Sequence, residues 1–323
     1  MFAYQEGLLL TGPRMWVDCR RRQGRSFVSH AHADHMARHE LAWCTPETGA
    51  LYQHRLGRRP VREMRLGEAI ACGDLRLTAL PAGHCLGSAM LLANDGERSL
   101  LYTGDYKLGP SLTAVEAEVR RADWLVMETT FGRPAYRLPP RNEVIERFIE
   151  LVQAALAAGR TPVVHAYALG KSQEATKILT THGVPVLQHP MVWGVSQVYE
   201  ACGMPLATDG ADVALYRGRP LAGHAVVTLP RSMKQHRLAG LGPTTSIALT
   251  GWAAAENAPY RLQVDHALPL SDHADYDQLL ELVERVEPRR VFCTHGPRAF
   301  VEDLRGRGWD AEPLDAEPQR RLF

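Results

Sequence analysis

An excess of charge of either sign is nearly absent from this 323-residue chain: 37 Lys and Arg stand against 36 Asp and Glu, a formal net charge of +1. Attraction to a polyanion must therefore come from a local patch, because the molecule as a whole supplies none. Cysteine is sparse. The six, Cys19, Cys44, Cys72, Cys85, Cys202 and Cys293, form no CxxC pair and lack the density of a secreted disulfide scaffold, which points to reduced thiols and a cytoplasmic setting. Long apolar runs are missing too: none reaches the roughly 18 residues of a membrane span. Met1 to Leu10 carries neither a basic start with an apolar core nor a small-residue cleavage site. The expectation is a protein that is neither exported nor membrane-spanning. Internal repeats and low-complexity segments are absent, while a hydrophobic content of 45% suits a well-buried core, in two domains or one large α/β domain.

What is present begins with short β runs broken by turns, at Arg25 to Val28, Leu75 to Leu80, Met90 to Ala93, Leu100 to Thr103 and Trp124 to Met127. Apolar residues at Val144, Ile145, Phe148, Ile149, Val152 and Leu156 then recur at helical spacing, and Gly159 supplies a stop. From Thr161 strands and helices alternate: Pro162 to Val164, a helix from about Ser172, Val184 to Leu187, a helix from about Met191, Ala225 to Leu229 and Ser246 to Thr250. Such alternation predicts a parallel sheet with crossover helices, a unit distinct from what precedes it. After it come His266 to Leu270, a helix over Tyr276 to Val286 and a strand over Arg290 to Thr294, where the first unit is expected to resume. The predicted division is 1–132, an inserted domain over 133–264, and 265–323, with the Pro-rich stretch Arg133 to Pro140 as linker.

The run His30-Ala31-His32-Ala33-Asp34-His35 carries the chemistry. It puts four potential ligands, three of them imidazoles, on one tight loop after a strand, where alternate residues can turn to one metal and the Asp-His pair to another. A merely polar, histidine-rich turn is the alternative. Partners follow at strand ends: His84 in Pro81-Ala82-Gly83-His84, Asp105 in Tyr102-Thr103-Gly104-Asp105, and His295 in Thr294-His295-Gly296. A carboxylate is the group that bridges two cations well, so Asp105 is the natural bridge and His295 can close the second site. Asp18 reads as a support for the metal loop rather than a ligand. Imidazole and carboxylate donors without thiolate suit zinc and manganese alike. Lys171 and Ser172, before a helix, suit a phosphate contact, with an ordinary basic helix start as the other reading. Arginines over Arg20 to Arg25 and Arg55 to Arg65 suit either a rail for a phosphodiester backbone or solvated charge.

These residues resemble the metallo-β-lactamase superfamily and, within it, the β-CASP nucleases. Glu128 in Met127-Glu128-Thr129-Thr130-Phe131-Gly132 looks like motif A, His273 in Leu270-Ser271-Asp272-His273-Ala274-Asp275-Tyr276 like motif B, and His295 like motif C. The segments Ala168-Leu169-Gly170-Lys171-Ser172-Gln173-Glu174 and Gly83-His84-Cys85-Leu86-Gly87-Ser88-Ala89-Met90 are similar to the cleavage-and-polyadenylation endonuclease branch, and Trp16-Val17-Asp18-Cys19-Arg20 to the bacterial ligase-associated DNA exonucleases. The resemblance implies an α/β fold, a metallo-β-lactamase αββα sandwich with an inserted β-CASP α/β domain. It implies two divalent metal ions, one held by His30, His32 and His84, the other by Asp34, His35 and His295, with Asp105 between them. His273, held by Glu128, becomes the general acid, and Asp34, Glu128 and His273 the catalytic set. The implied activity is hydrolysis of DNA phosphodiesters by a 5′-end-directed exonuclease, in repair with a DNA ligase and a helicase. A histidine at motif C is the form common among RNA-processing members, so an RNA-processing nuclease of the cleavage-and-polyadenylation type is the other reading. A lactamase or thioesterase leaves the insertion without a purpose, and a metal-free binding subunit leaves the filled ligand positions without one.

Overall fold

The apolar runs separated by turns pair into three sheets. The computed structural model describes residues 1–4 and 7–314, so the last residues of the expected third segment, 315–323, lie outside the described residues. The described chain divides into two units, 1–134 with 273 onward, and 135–272.

In the first unit one sheet runs in chain order through β1 (Phe2–Tyr4), β2 (Leu8–Leu10), β3 (Met15–Val17), β4 (Arg25–Phe27), β5 (Leu41–Cys44) and β6 (Val61–Glu63). Helix α1 (Pro46–Leu56) lies between the last two strands in sequence; Thr45 caps it by accepting from Thr48 N at 3.2 Å, and Pro46 opens it. The second sheet is built from β7 (Ala69–Cys72), β8 (Leu75–Pro81), β9 (Ala89–Asn94), β10 (Ser99–Tyr102) and β11 (Trp124–Glu128). Its far side is completed, after the second unit, by two strands named below. The alternating burial of β2 and β3 turns Leu8, Leu10, Met15 and Val17 inward against Leu75, Leu77, Leu91 and Leu100 of the other sheet. That apolar layer is the core of the sandwich.

The second unit starts with α2 (Arg141–Ala157), the helix whose apolar stripe was legible in the sequence. It continues with β12 (Thr161–His165), α3 (Lys171–Thr181), β13 (Val186–Gln188), α4 (Pro190–Ala201), β14 (Val213–Leu215), β15 (Ala225–Thr228), β16 (Thr244–Leu249), α5 (Ala258–Leu262) and β17 (His266–Leu268). All the pairings in this sheet are parallel, in the order β14-β13-β15-β12-β16-β17. The inner strands β12, β13, β15 and β16 are buried on both faces and read as apolar runs, which is why alternation of element type, rather than of side chain, announced them. The chain returns to the first unit at His273 rather than at 265, because β17 pairs with β16 and so belongs to the inserted sheet.

From there α6 (Tyr276–Val286), β18 (Arg290–Thr294), α7 (Arg298–Gly306) and β19 (Ala311–Pro313) finish the first unit. Asp275 caps α6 by accepting from Gln278 N at 2.9 Å. Its face of Leu279, Leu282, Val283 and Val286, with Phe300, Val301 and Leu304 of α7, packs on Leu101, Leu125 and Met127 of the second sheet. Each such side chain contributes about 1.5–3 kcal/mol by burial. Helix, sheet, sheet and helices make the αββα sandwich, with an α/β domain inserted between β11 and α6.

Candidate metal centre

Strands β10, β11 and β18 run parallel, and β8 points the same way because two antiparallel pairings separate it from β10. Their carboxyl ends therefore lie on one edge of the sheet, and each delivers a site residue. Gly83 precedes His84 and Gly104 precedes Asp105, both at positive φ, 75° and 56°. A Cβ on Gly104 would come within 2.7 Å of Ser29 Oγ, so only glycine lets Asp105 approach the metal loop this closely. From the other sheet, β4 runs into the loop, and Ala89 N donates to Ser29 O at 2.9 Å to join the two edges.

At this edge ring nitrogens converge. His30 Nε2 lies 3.0 Å from His32 Nδ1, and His84 Nε2 lies 3.1 Å from the same atom. Asp105 Oδ2 stands 3.5 Å from His30 Nε2 and 4.0 Å from His84 Nε2. These four side chains form a cluster able to hold a cation. Tautomers settle which nitrogens are donors. Asp18 is an acceptor, so Ser29 Oγ donates to its Oδ2 at 2.5 Å and has a lone pair left for His30 Nδ1–H at 2.9 Å. His30 Nε2 then faces the cluster as a bare lone pair. The same Asp18 oxygen takes His35 Nδ1–H at 2.8 Å and the Tyr102 hydroxyl at 2.8 Å, and its Oδ1 takes Ser29 N at 2.7 Å. One carboxylate thus sets two imidazoles. His35 Nε2 is buried, makes no hydrogen bond, and lies 3.4 Å from Asp105 Oδ1, outside donor geometry. A buried nitrogen without a hydrogen bond, facing a carboxylate, fits a metal ligand.

Electrostatics agree with that fit. Burial disfavours charge on His30, and neighbouring His35 adds to it, so His30 is held well below its ordinary pKa as a neutral donor. Burial pushes His35 down as well, but Asp105 and Asp18 outweigh it and hold the ring well above its usual value. Burial would raise Asp105; His35 and His273 reverse this and drive it well below the carboxylate range. The cluster demands positive charge, and a divalent cation meets that demand with lone pairs already aimed.

The second expected site is looser. Asp34 Oδ2 is 3.9 Å from His35 Nε2 and equally 3.9 Å from Arg20 Nη2. The His295 ring stacks on His35 with centroids 5.6 Å apart. Burial and His35 keep His295 below its ordinary pKa, in the neutral form that ligation requires. His295 and Asp18 both sit at positive φ, 57° and 46°, costing on the order of 1 kcal/mol each. Four other non-glycine residues, Arg14, Asn257, Gln263 and Glu287, share this region of φ.

Beside the cluster, His273 Nδ1 bonds both Glu128 oxygens, at 2.9 and 3.0 Å, and His273 Nε2 lies 4.0 Å from Asp105 Oδ2. Glu128 is locked by Tyr106 N at 2.9 Å and the Thr130 hydroxyl at 2.5 Å. His273 is placed by its neighbour, Ala274 N donating to Tyr106 O at 2.6 Å.

A β-lactamase superfamily domain matches residues 26–182, and a Zn-dependent metallo-hydrolase RNA specificity domain matches residues 257–314. The chain is similar to a "Probable DNA ligase" of Opitutus terrae, 38% identical over 99% of this chain and 31% of that one. It is also similar to the "5' exonuclease Apollo" of Gallus gallus, 30% identical over 88% of this chain and 62% of that one. The chain belongs to the β-CASP nuclease family of the metallo-β-lactamase superfamily. It spans less than two thirds of either of these relatives. The crystal structure of a protein of unknown function from Enterococcus faecalis V583 shares the fold, with TM-score 0.59 and 14% identity over 84% of this chain and 75% of that one.

Within this β-CASP chain, His30, His32, His35, His84, Asp105, Glu128, His273 and His295 come together in the first unit, with Asp34 at the rim. Lys171 and Ser172 lie in the second unit, at the start of α3. Lys171 is 1% exposed, its Nζ 3.3 Å from Glu174 Oε2 and 3.7 Å from Asp272 Oδ1, and Ser172 Oγ donates to Ala166 O at 3.4 Å. The ammonium is matched by carboxylates because a buried charge must be paired. Sequence reasoning missed Ser29 and Tyr102, which complete the Asp18 network. Two arginines that the sequence offered as a phosphate rail or as solvated charge instead hold the metal loop by its carbonyls: Arg20 Nε donates to Asp34 O at 2.9 Å, and Arg55 donates to Ala31 O. The position of Ser29 directly before His30 was a visible signal; the other contacts join residues far apart in sequence.

Among the described residues no helix is long and apolar enough to cross a membrane.

Proposed function

We propose that this chain is a metal-dependent nuclease that hydrolyses DNA phosphodiesters from strand ends, in repair and in association with a DNA ligase. The observation that carries the reading is the Glu128–His273 pair fixed beside Asp105. A hydrolase acting on an activated amide or ester has little need of a separate acid; a sugar alkoxide is a poor leaving group and needs a proton.

His30, His32 and His84 with Asp105 would hold one divalent ion, and Asp34, His35 and His295 with Asp105 a second. Zinc or manganese there would lower the pKa of a bound water and neutralise phosphate oxygens. Asp18 keeps the His30 lone pair directed inward through Ser29 and the His35 lone pair directly. Glu128 holds His273 by Nδ1–H and stabilises its protonated form, so that Nε2–H can deliver a proton to the departing oxygen. With a side chain 23% exposed, His273 is reachable by substrate, while Glu128 at 1% is shielded from water. In our reading Lys171 and Ser172 serve the substrate indirectly, by fixing the loop that ends β12, because the ammonium is already matched by Glu174 and Asp272.

The Opitutus relative, named a probable DNA ligase, supports the ligase association. The Gallus relative, named a 5′ exonuclease, supports attack from an end. An RNA substrate is the second reading, favoured by His295 and by the match to an RNA specificity domain over 257–314. Incubating zinc- and manganese-loaded protein with DNA and RNA of one sequence, labelled at each end in turn, separates the two. Faster DNA loss from the 5′ end is expected; preferential RNA cleavage overturns the choice of DNA.

A further inference from the structure

In the second unit, residues 213–255 hold five of the chain's 37 Lys and Arg and none of its 36 Asp and Glu. The five are Arg217, Arg219, Arg231, Lys234 and Arg237, and all are exposed. They fall on the loops that leave the carboxyl ends of β14 and β15. Because the sheet is parallel, both loops rise from the same edge. The acids that bound this stretch are Asp212, which precedes β14 at the opposite edge, and Glu256, beyond β16.

The loops are joined and held. Tyr216 donates its hydroxyl to Ala239 O at 2.6 Å, and Gly240, at φ 72°, packs against Gly218 O where any Cβ would collide. Leu238 and Leu241 pack against Val163, Leu187 and Tyr216. At the root, His165 Nδ1 donates to Leu229 O at 2.9 Å, and the Thr228 hydroxyl donates to His236 O at 3.0 Å. The basic groups therefore stand on fixed backbone, which lowers the ordering cost of binding. Along the same edge, beyond the ends of β12 and β16, Tyr167 is 51% and Trp252 36% exposed. Four strand spacings separate β14 from β16 in this sheet, roughly 19 Å.

We propose that this edge binds a single strand of nucleic acid, its phosphates on the arginines and lysine of the two loops and its bases on Tyr167 and Trp252. Fixed cations beside exposed rings are the chemistry of single-strand recognition: charge follows the backbone, and rings accept any base. The proposal rests on the nuclease reading for its substrate class and adds a surface of the second unit that holds the strand.

The test uses the full chain with EDTA present and a fluorescein-labelled thymidylate 20-mer, followed by fluorescence anisotropy between 50 and 300 mM KCl. Reversing Arg217, Arg231 and Arg237 to Glu is expected to weaken binding at least tenfold and to flatten the log–log salt slope by about 2, some 0.7 for each phosphate no longer neutralised. Tyr167→Ala with Trp252→Ala is expected to cost about tenfold at an unchanged slope. Reversing the exposed Arg76, Arg98 and Arg289 of the first unit controls for net charge. Unchanged affinity and slope in the loop variant overturn the proposal, and so does an equal loss in the control. If the triple reversal melts early, Arg231→Gln and Arg237→Gln, each expected to flatten the slope by about 0.7, decide in its place. Wild-type protein that binds the 20-mer but, with metal restored, fails to cut it sinks the nuclease reading and leaves this surface standing.

Discussion

Asp18→Asn exchanges one oxygen for an amide nitrogen and reaches His30 and His35, two of the proposed ligands. The native carboxylate accepts four hydrogen bonds, from Ser29 N, Ser29 Oγ, His35 Nδ1 and the Tyr102 hydroxyl. Asparagine keeps one oxygen for Ser29 N and turns an amide N–H₂ toward the other three. The two hydroxyls can rotate to accept, but His35 must move its proton from Nδ1 to Nε2, the nitrogen that faces Asp105. Ser29 Oγ, no longer donating to Asp18, also ceases to fix the His30 tautomer. Losing charge-assisted bonds worth roughly 1.5–3 kcal/mol each, partly regained by the hydroxyls, lowers the stability of the apo-protein by about 2–4 kcal/mol. Metal affinity falls about 10–100-fold, or about 1.4–2.7 kcal/mol, as expected when the group orienting a ligand is altered. Competition against a chromophoric zinc chelator measures the affinity, and circular dichroism confirms the fold. Folded Asp18→Asn that binds zinc as tightly as wild type would refute the tautomer argument.

Asp34→Ala should lower metal content by one ion per chain after dialysis, read by plasma mass spectrometry, since Asp34 belongs to the His35 side of Asp105 and not to the His30, His32 and His84 cluster. Lys171→Met should destabilise the second unit by about 3 kcal/mol in a urea melt, because Asp272 loses its cation while Glu174 keeps Arg141 at 2.5 Å. His165 gives a pH dependence: burial lowers its pKa to about 4 from the ordinary 6.5, with its hydrogen bond to Leu229 O pulling the other way. Folded and unfolded chains are both neutral there above pH 6.5, so nothing is lost; between 6.5 and 4 the unfolded chain takes up the proton first. Up to about 3 kcal/mol of stability should disappear over that window, and His165→Gln should flatten that part of the pH profile in denaturant melts.

Much of the site was legible because each ligand follows an apolar strand and a turn: His84 after Gly83, Asp105 after Gly104, His295 after the run Arg290–Thr294. Periodicity likewise exposed α2 and α6, whose buried positions recur at helical spacing. Of the first sheet only β4 was legible, as the run Arg25 to Val28; β1 to β3 are three residues each and leave no room for a period. Helix α1 was hidden by a polar composition, although Thr45 and Pro46 announced its start. Nothing local told His266–Leu268 which unit to join; its partner, β16, decided that. The network around Asp18 depends on Tyr102, 84 residues away, and the burial of Lys171 depends on Asp272. Such pairings exist only once the chain is folded.

Single-turnover cleavage of a 5′-labelled DNA strand by metal-reconstituted wild type and His273→Ala, with metal content measured on the same samples, bears most directly on the assigned roles. The expected result is metal-dependent cleavage by wild type and a loss of about 10²–10⁴-fold in the variant at full metal occupancy. Full cleavage by His273→Ala, or metal-loaded wild type that cuts neither DNA nor RNA, would contradict it.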